Sequence, residues 1–204
     1  MENNILILFK NAFLHTKRIL IHKFWVCHYC FKCGLYWQGL THDLSKFSPT
    51  EFLESIQYYK DGISPIVVAK KENGISYGWL HHKGRNPHHY EYWTDNYDSG
   101  IMFQPIPKKY AYEMICDYLG AARTYGDFSY AKEYEWWENR KASSNISMHW
   151  RTKLFITIAF ILLLDPYSQK HFKYCLDSAW KYSLEDIASI NIDFLNKALN
   201  GKKI

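Results

Sequence analysis

The sequence predicts an all-α protein, built as a single-domain bundle of several helices. Apolar residues recur at three- and four-residue spacing along most of the chain, and no run alternates strictly enough to predict a sheet. Glycine and proline make up about 8% of the 204 residues, against about 12% in average proteins, which disfavours turn-rich β folds. No repeat or linker divides residues 1–204, so we expect one domain.

Helix-start signals place the first elements along the chain. A long helix is expected over residues 5–33, which sets His15 and His22 seven residues apart on one face. The string SPTE at residues 48–51 combines an N-cap serine, a proline at the first helical position and a capping-box glutamate. It predicts a helix over residues 49–60.

The later elements follow from the same signals. The cap-then-proline pattern recurs at Ser64-Pro65 and Asn86-Pro87. Four glycines each follow a segment of helical periodicity: Gly34, Gly84, Gly126 and Gly201. Apolar spacing predicts further helices over residues 107–125, 129–141, 148–164, 169–182 and 184–199. Short extended segments are expected near residues 100–105, and residues 145–204 are expected to form a helical buttress for the rest.

Composition and charge restrict the class of protein. A hydrophobic content of 48% excludes wholesale disorder, and a net charge of +5 permits an anionic partner, nucleic acid included, without requiring one. The five cysteines are an odd number and no signal peptide precedes them, which favours a cytoplasmic protein. The longest apolar run, residues 154–164, would extend about 16 Å as a helix, so we expect no membrane association.

Histidines are concentrated in one part of the chain. Eight of the ten precede residue 90, and four lie in the string HHKGRNPHH at residues 81–89. Neutral imidazole is the commonest protein ligand for metals, and two pairs flanking a turn can direct rings from two short helices at one point. The alternative is an exposed polar turn, but the neighbouring tryptophans and tyrosines favour a packed segment and therefore a metal site.

A second polar motif, THDLSKF, occupies residues 41–47. Adjacent His42 and Asp43 diverge on a regular helix, so both reach one ion only where the helix ends or bends. Lys46 lies three positions after Asp43 and would set a positive charge beside such a site, where a phosphate group can bind.

These motifs resemble the HD superfamily of metal-dependent phosphohydrolases, whose ligands occur in the order His, His-Asp, Asp, with two more histidines inserted in some branches. The resemblance implies an HD-like bundle with metal ligands at His22, His42, Asp43, His82, His88 and Asp117. His15 is a rival for the first ligand, and His81 and His89 are rivals within their pairs. The motifs HDLSKFSPTEF and HHKGRNPHHYEYW also resemble a bacterial and phage family of unknown function, over residues 15–130.

The resemblance implies hydrolysis of a nucleotide or another small phosphoester by a metal-activated water. Asp43 and Lys46 would be the catalytic residues, and one or two ions of Fe, Mn, Ni, Co or Zn the cofactor. Five residues would bind substrate or support the ligands: His81, His89, Arg85, Asn86 and Glu113. The alternatives are a di-iron oxygenase, resembling the inositol oxygenase branch, and a non-enzymatic protein that binds a nucleotide or a partner.

Two further patterns have simpler explanations. Cys27, Cys30 and Cys33 have the spacing of a zinc or iron–sulfur site, but on a continuous helix they share one face and are expected to be buried thiols. The aromatic stripe along residues 130–137 is expected to pack rather than stack on bases. The amphipathic segment 184–199 is compatible with a homo-oligomer.

Overall fold

The computed structural model describes residues 2–98, 100–142 and 146–184, with the side chains of residues 2–4 and 97 outside the description. This part of the chain folds into ten α-helices: α1 (Glu2–Lys32), α2 (Tyr36–Thr41), α3 (Pro49–Gln57), α4 (Pro65–Asn73), α5 (Tyr77–Lys83), α6 (Lys108–Tyr125), α7 (Tyr130–Ala142), α8 (Trp150–Leu162), α9 (Pro166–Lys170) and α10 (Phe172–Leu184). Short 3-10 helices cover Leu44–Phe47 and Tyr90–Trp93. The all-α prediction is confirmed.

The one sheet within the described ranges is a two-stranded antiparallel hairpin. Strand β1 (Thr94–Tyr97) pairs with β2 (Gly100–Phe103), so that Thr94 lies opposite Phe103. Strand β2 falls in the segment expected to be extended, whereas the polar β1 had no signal in the sequence.

Helices α1 and α6 pack together through the middle of the molecule. The buried residues Val26 and Tyr29 of α1 and Ile115 and Leu119 of α6 belong to one core cluster. At Gly120 the helices approach so closely that an added Cβ would lie 2.5 Å from a methyl carbon of Val26. A side chain at position 120 would therefore push α6 away from α1, and with it the polar residues that both helices carry.

Helices α8 and α10 lie against each other and extend the same core. Phe155 and Phe160 of α8 and Phe172 of α10 are fully buried. Tyr112 of α6 stacks on Phe155 with ring centroids 5.7 Å apart, which ties α8 to the central pair. This dense aromatic packing holds α6 against α8 as well as against α1.

Most helix-start signals are confirmed. Ser48 caps α3 by accepting a hydrogen bond from the Glu51 backbone N–H, and Pro49 is the first residue of that helix. The predicted helix 169–182 is instead two helices. Asp165 caps α9 with a side-chain bond to the Ser168 N–H, and the backbone leaves helical geometry at His171 before α10 begins.

Two predicted helices are not seen among the described residues. No helix begins at Pro87. The Asn86 side chain donates through Nδ2 to Ser45 and to the His82 carbonyl, which ties this turn back to α5 and to the turn after α2. The predicted helix 184–199 lies outside the described residues, apart from Leu184 itself. Within the described ranges, no helix has both the length and the apolar character needed to cross a bilayer.

Candidate metal centre

The histidine motifs meet at the point where α1, α5, α6 and the end of α2 come together. His22 comes from α1, His42 follows α2, His82 lies on α5 and Asp117 lies on α6. All four are buried, with at most 9% of their surface exposed. The convergence that the sequence motifs predicted is therefore present in the fold.

The backbone at Asp43 explains how adjacent residues face one centre. Asp43 has a φ of 55°, in the left-handed region. Among the residues that the structure describes, no other residue except glycine has a positive φ. This conformation ends α2 and starts the 3-10 turn Leu44–Phe47, so the His42 and Asp43 side chains do not diverge as they would on a helix. The same turn brings Lys46 Nζ to 2.6 Å from Asp43 Oδ2.

A first group of ligand atoms comes from His22, His42, Asp43 and Asp117. Its four atoms all lie within 4.8 Å of one another. His22 Nε2 is 3.0 Å from Asp117 Oδ1 and 3.6 Å from Asp43 Oδ2. His42 Nε2 is 3.3 Å from Asp43 Oδ2. Two imidazoles and two carboxylates at these separations match the donor set of a transition-metal site.

A second group shares Asp43 and adds three histidines. Asp43, His82, His88 and His89 again offer atoms within 4.8 Å of one another. Asp43 Oδ1 lies 3.3 Å from His82 Nε2 and 3.4 Å from His88 Nε2, and His82 Nε2 lies 3.0 Å from His89 Nε2. Asp43 thus presents Oδ2 to the first group and Oδ1 to the second, which is the position of a bridging carboxylate.

Two glutamates hold the histidines from behind. Glu113 Oε1 accepts hydrogen bonds from His42 Nδ1 at 2.9 Å and lies 3.2 Å from His88 Nδ1, so one carboxylate contacts a histidine of each group. Glu51 contacts His81 Nδ1 at 2.7 Å and His82 Nδ1 at 2.8 Å. A proton fixed on Nδ1 leaves the Nε2 lone pair of that ring free to bind a metal.

Several buried atoms of the cluster have no hydrogen-bond partner among the described residues. They are His22 Nδ1 and Nε2, His42 Nε2, His88 Nε2 and Asp43 Oδ1. Burying such groups unpaired costs about 1–3 kcal/mol each, and native proteins rarely leave them so. Four of these five atoms are the ones that face the two groups, so bound cations would satisfy them. The residues present therefore fit a metal site.

Electrostatics within the cluster keep the carboxylates ionised. Burial raises the pKa of Asp43, but His42 and Lys46 outweigh it and hold that pKa well below its usual value. Burial also raises the pKa of Asp117, but the adjacent His22 and His42 rings outweigh it and hold that pKa well below its usual value. Burial and the adjacent His88 lower the pKa of His89, which keeps that ring neutral and able to bind a metal.

A cavity of about 200 Å³ opens onto the first group and runs along α1. Its walls include Asp43, Lys46 and His89 at one end and His15, Arg18 and Tyr125 towards the other. Two cations, Lys46 and Arg18, thus line it. The Arg18 guanidinium is held over the Tyr59 and Tyr125 rings, at 4.8 and 5.3 Å from their centroids, and it pairs with Asp61.

Two arginines differ in their position relative to this cavity. Arg85, predicted to contact phosphate, is exposed on the turn after α5 and does not line this cavity. Arg18 of α1 occupies the corresponding cationic position, four residues before His22 and therefore on the same helix face.

The other predicted residues lie in or beside the two groups. His22, not His15, belongs to the first group. His89, predicted to support the site, lies within the second group, whereas His81 contacts only Glu51 in the cluster. Asn86 donates to Ser45 and to the His82 carbonyl, which fixes the turn between the histidine pairs.

Glu51 is the residue that sequence reasoning missed. It was expected to complete a capping box, but its buried carboxylate binds two histidines instead. Its position three residues after the Ser48 cap was visible, yet nothing in a linear motif indicates that α3 packs beside α5.

Two of the three predicted buried thiols are confirmed, whereas Cys27 is only half-buried. Cys30 and Cys33 are buried, and Cys33 Sγ lies 3.8 Å from Cys116 Sγ of α6. Among the described residues, the groups able to hold a metal contain histidines and carboxylates and no cysteine.

His15 lies in the cavity wall outside both ligand groups, and its burial can be tested through the pH dependence of stability. Burial lowers the pKa of His15 to about 4, so the neutral ring is the folded form. Because the unfolded chain binds this proton near pH 6.5, the protein loses stability as pH falls from about 6.5 towards 4. His15→Phe keeps a ring against Phe52 but cannot take up a proton. On going from pH 7.5 to pH 5, wild type should therefore lose about 1–2 kcal/mol more unfolding free energy than this variant. Urea unfolding at both pH values measures it, and parallel pH curves for the two proteins would contradict a neutral buried ring.

The fold and the site together define an all-α protein with a buried candidate metal centre made of histidines and carboxylates. The chain belongs to DUF5662, a family of unknown function, whose model matches residues 11–160. That range includes every residue of both ligand groups and both supporting glutamates. Comparisons with curated proteins and with solved structures gave no match.

Proposed function

We propose that this protein is a metal-dependent phosphohydrolase that uses two divalent cations to hydrolyse a small phosphoester, such as a nucleotide. The observation that carries the proposal is the position of Asp43, whose two carboxylate oxygens each face a separate group of buried ligand atoms. Paired metal sites joined by a carboxylate are a recurrent arrangement for displacement at phosphorus.

The choice of metal follows from the donor set. His22, His42, Asp43 and Asp117 would hold one ion, and Asp43, His82, His88 and His89 the other. Imidazole with carboxylate suits Fe, Mn, Ni, Co or Zn, whereas Ca²⁺ prefers oxygen ligands alone. When bound, such ions polarise a phosphoryl oxygen and lower the pKa of a coordinated water towards neutrality.

The cavity supports an anionic substrate. Lys46 lies beside Asp43 with a quarter of its side chain exposed, so it is able to bind a phosphate oxygen while it stays paired. Asp43 and Asp117 outweigh burial and raise the pKa of Lys46, which keeps its charge. Arg18 adds a second cation farther along α1. A cation near the reacting phosphate neutralises the charge that develops on it.

The order of ligands along the chain adds support. The order is a histidine, a histidine-aspartate pair, two histidines and an aspartate. This order resembles that of HD phosphohydrolases with additional histidines, and we extend the resemblance to the reaction. The analogy rests on the order of these residues along the chain.

Metal analysis and a phosphoester screen test the proposal directly. We expect about two transition-metal ions per chain in purified protein and hydrolysis of a small phosphoester when Mn²⁺ or Ni²⁺ is supplied. Lys46→Gln should lower kcat/KM about 100-fold. Arg85→Gln is the matched control, since that exposed cation lies outside the cavity, and should retain activity.

Three outcomes would contradict the hydrolase. Stoichiometric metal without turnover of any phosphoester is the first. Oxygen uptake with a di-iron spectroscopic signal would instead identify an oxygenase. Tight nucleotide binding that persists in chelator, with no product, would identify a binding protein.

A further inference from the structure

Helix α1 has a second apolar face, on the side away from the core. The following residues of α1 expose 43–71% of their surface: Leu6, Phe9, Phe13, Leu20, Phe24 and Phe31. At about 100° per residue they fall within a sector roughly 60° wide, with Cys27 in the same sector. The core residues Ile19 and Val26 lie on the opposite side of the helix. Exposed apolar stripes of this length mark interaction surfaces.

The two ends of this stripe have complementary shapes. At the N-terminal end, Ile5–Phe9 are five consecutive apolar residues that expose 42–71%, so this turn projects with apolar side chains on all sides. At the other end, Phe24, Cys27 and Phe31 form a groove with Gly39 and Leu40 of α2. The centres of the projecting turn and of the groove lie about 20 residues apart on one continuous helix, or about 30 Å.

We infer that the stripe binds the same stripe of a second copy of this chain, with the two α1 helices antiparallel. A two-fold axis near residue 18 then seats the projecting turn of each copy in the groove of the other. In this register Leu6 faces Phe31 of the second copy, and Phe13 faces Phe24 of the second copy. A surface that contains both a projection and its groove satisfies the self-complementarity of a two-fold interface.

The available area is sufficient for a stable dimer. Ten side chains, the six of the stripe and four neighbours, each expose 40–73% of their surface. The neighbours are Ile5, Ile21, Trp37 and Leu40. At on the order of 100 Å² each, the ten side chains supply about 1,000 Å² per copy, against about 800 Å² per partner in a standard interface.

Charged residues border the stripe without entering it: Lys10 and Lys17 lie along one edge, and Lys23 and Lys32 lie around the groove. Lys10 and Lys17 are exposed and flank it without interrupting it, as the lysines beside a helix–helix seam do. A seam this narrow suits another helix better than a membrane surface, which takes a wider apolar face.

Sedimentation velocity on the full-length protein tests the dimer. We expect wild type to be dimeric at micromolar concentration, and Phe13→Glu or Phe24→Glu to raise the dissociation constant at least about 100-fold. Both positions are 62–70% exposed, so the monomer should keep its fold by circular dichroism. Tyr174→Glu, at a similarly exposed aromatic of α10, is the matched control and should remain dimeric.

A charge-swap variant tests the orientation. In the antiparallel register, Phe13→Glu combined with Phe24→Lys on one chain forms Glu–Lys pairs across the interface and should restore the dimer. A monomeric wild type, or a dimer that both single substitutions leave intact, would overturn the inference. Pelleting of a monomeric wild type with phosphatidylserine vesicles would overturn it in favour of a lipid surface.

Discussion

Asp43→Asn is expected to lower metal affinity at both ligand groups by at least about 100-fold. Loss of a residue that only supports a ligand already costs 10–100-fold, and Asp43 offers one oxygen to each group. The amide nitrogen that replaces one carboxylate oxygen cannot bind a metal. The negative charge that would lie between the two ions is also lost. Asparagine tolerates the left-handed backbone at this position, so the substitution tests chemistry rather than turn geometry.

Metal content by mass spectrometry, measured together with circular dichroism, checks this result. Asp127→Asn is the control, because Asp127 is an exposed carboxylate that pairs only with Lys132 in the described part of the chain. We also expect the metal-free variant to be less stable, since Lys46 loses its buried partner. A folded Asp43→Asn protein that retains two ions would show that Asp43 does not bridge.

The helices were predictable where local signals and packing agree. The Ser48 cap and Pro49 mark the start of α3 in the sequence and in the structure. At Asn86-Pro87 the same signal is not followed by a helix. The Asn86 side chain donates through Nδ2 to the His82 carbonyl and to Ser45, a partner that only the fold brings close. The cap-then-proline pattern is therefore not sufficient by itself to start a helix.

The convergence of the histidines and carboxylates was predictable because their order along the chain is informative. His42 and Asp43 are adjacent in sequence, and only a helix end lets them share a centre, which the positive φ at Asp43 provides. His81 and His82 lie about 100° apart on α5, so only one of them can face the centre. Which one does so depends on the packing of α5 against α3, and that is set by three-dimensional contacts.

The cavity residues were less predictable than the ligands. Arg18 carries no motif, and its role follows from lying one turn before His22 on a helix whose register only the fold defines. Arg85 lies inside a histidine motif, yet the turn that directs His88 inward exposes it. Proximity in sequence to the histidine motifs is therefore a poor guide to which cation lines the cavity.

Glu113→Ala is expected to weaken both ligand groups about 10–100-fold, whereas Glu51→Ala should weaken only the second. Glu113 contacts His42 of the first group and His88 of the second, but Glu51 contacts His82 and the non-ligand His81. Without these acceptors the rings lose the bond that fixes their Nδ1 protons and their orientation.

Calorimetric titration of metal into the stripped protein separates the two variants. Glu51→Ala should keep one tight site and weaken one, while Glu113→Ala should weaken two. Glu113→Gln keeps an acceptor oxygen without the charge and should fall between wild type and Glu113→Ala. Glu72→Ala, at an exposed glutamate paired with Lys60, is the control. Equal loss at both sites in Glu51→Ala would mean that the two ions bind as one cooperative unit, and the division of ligands into two groups would be wrong.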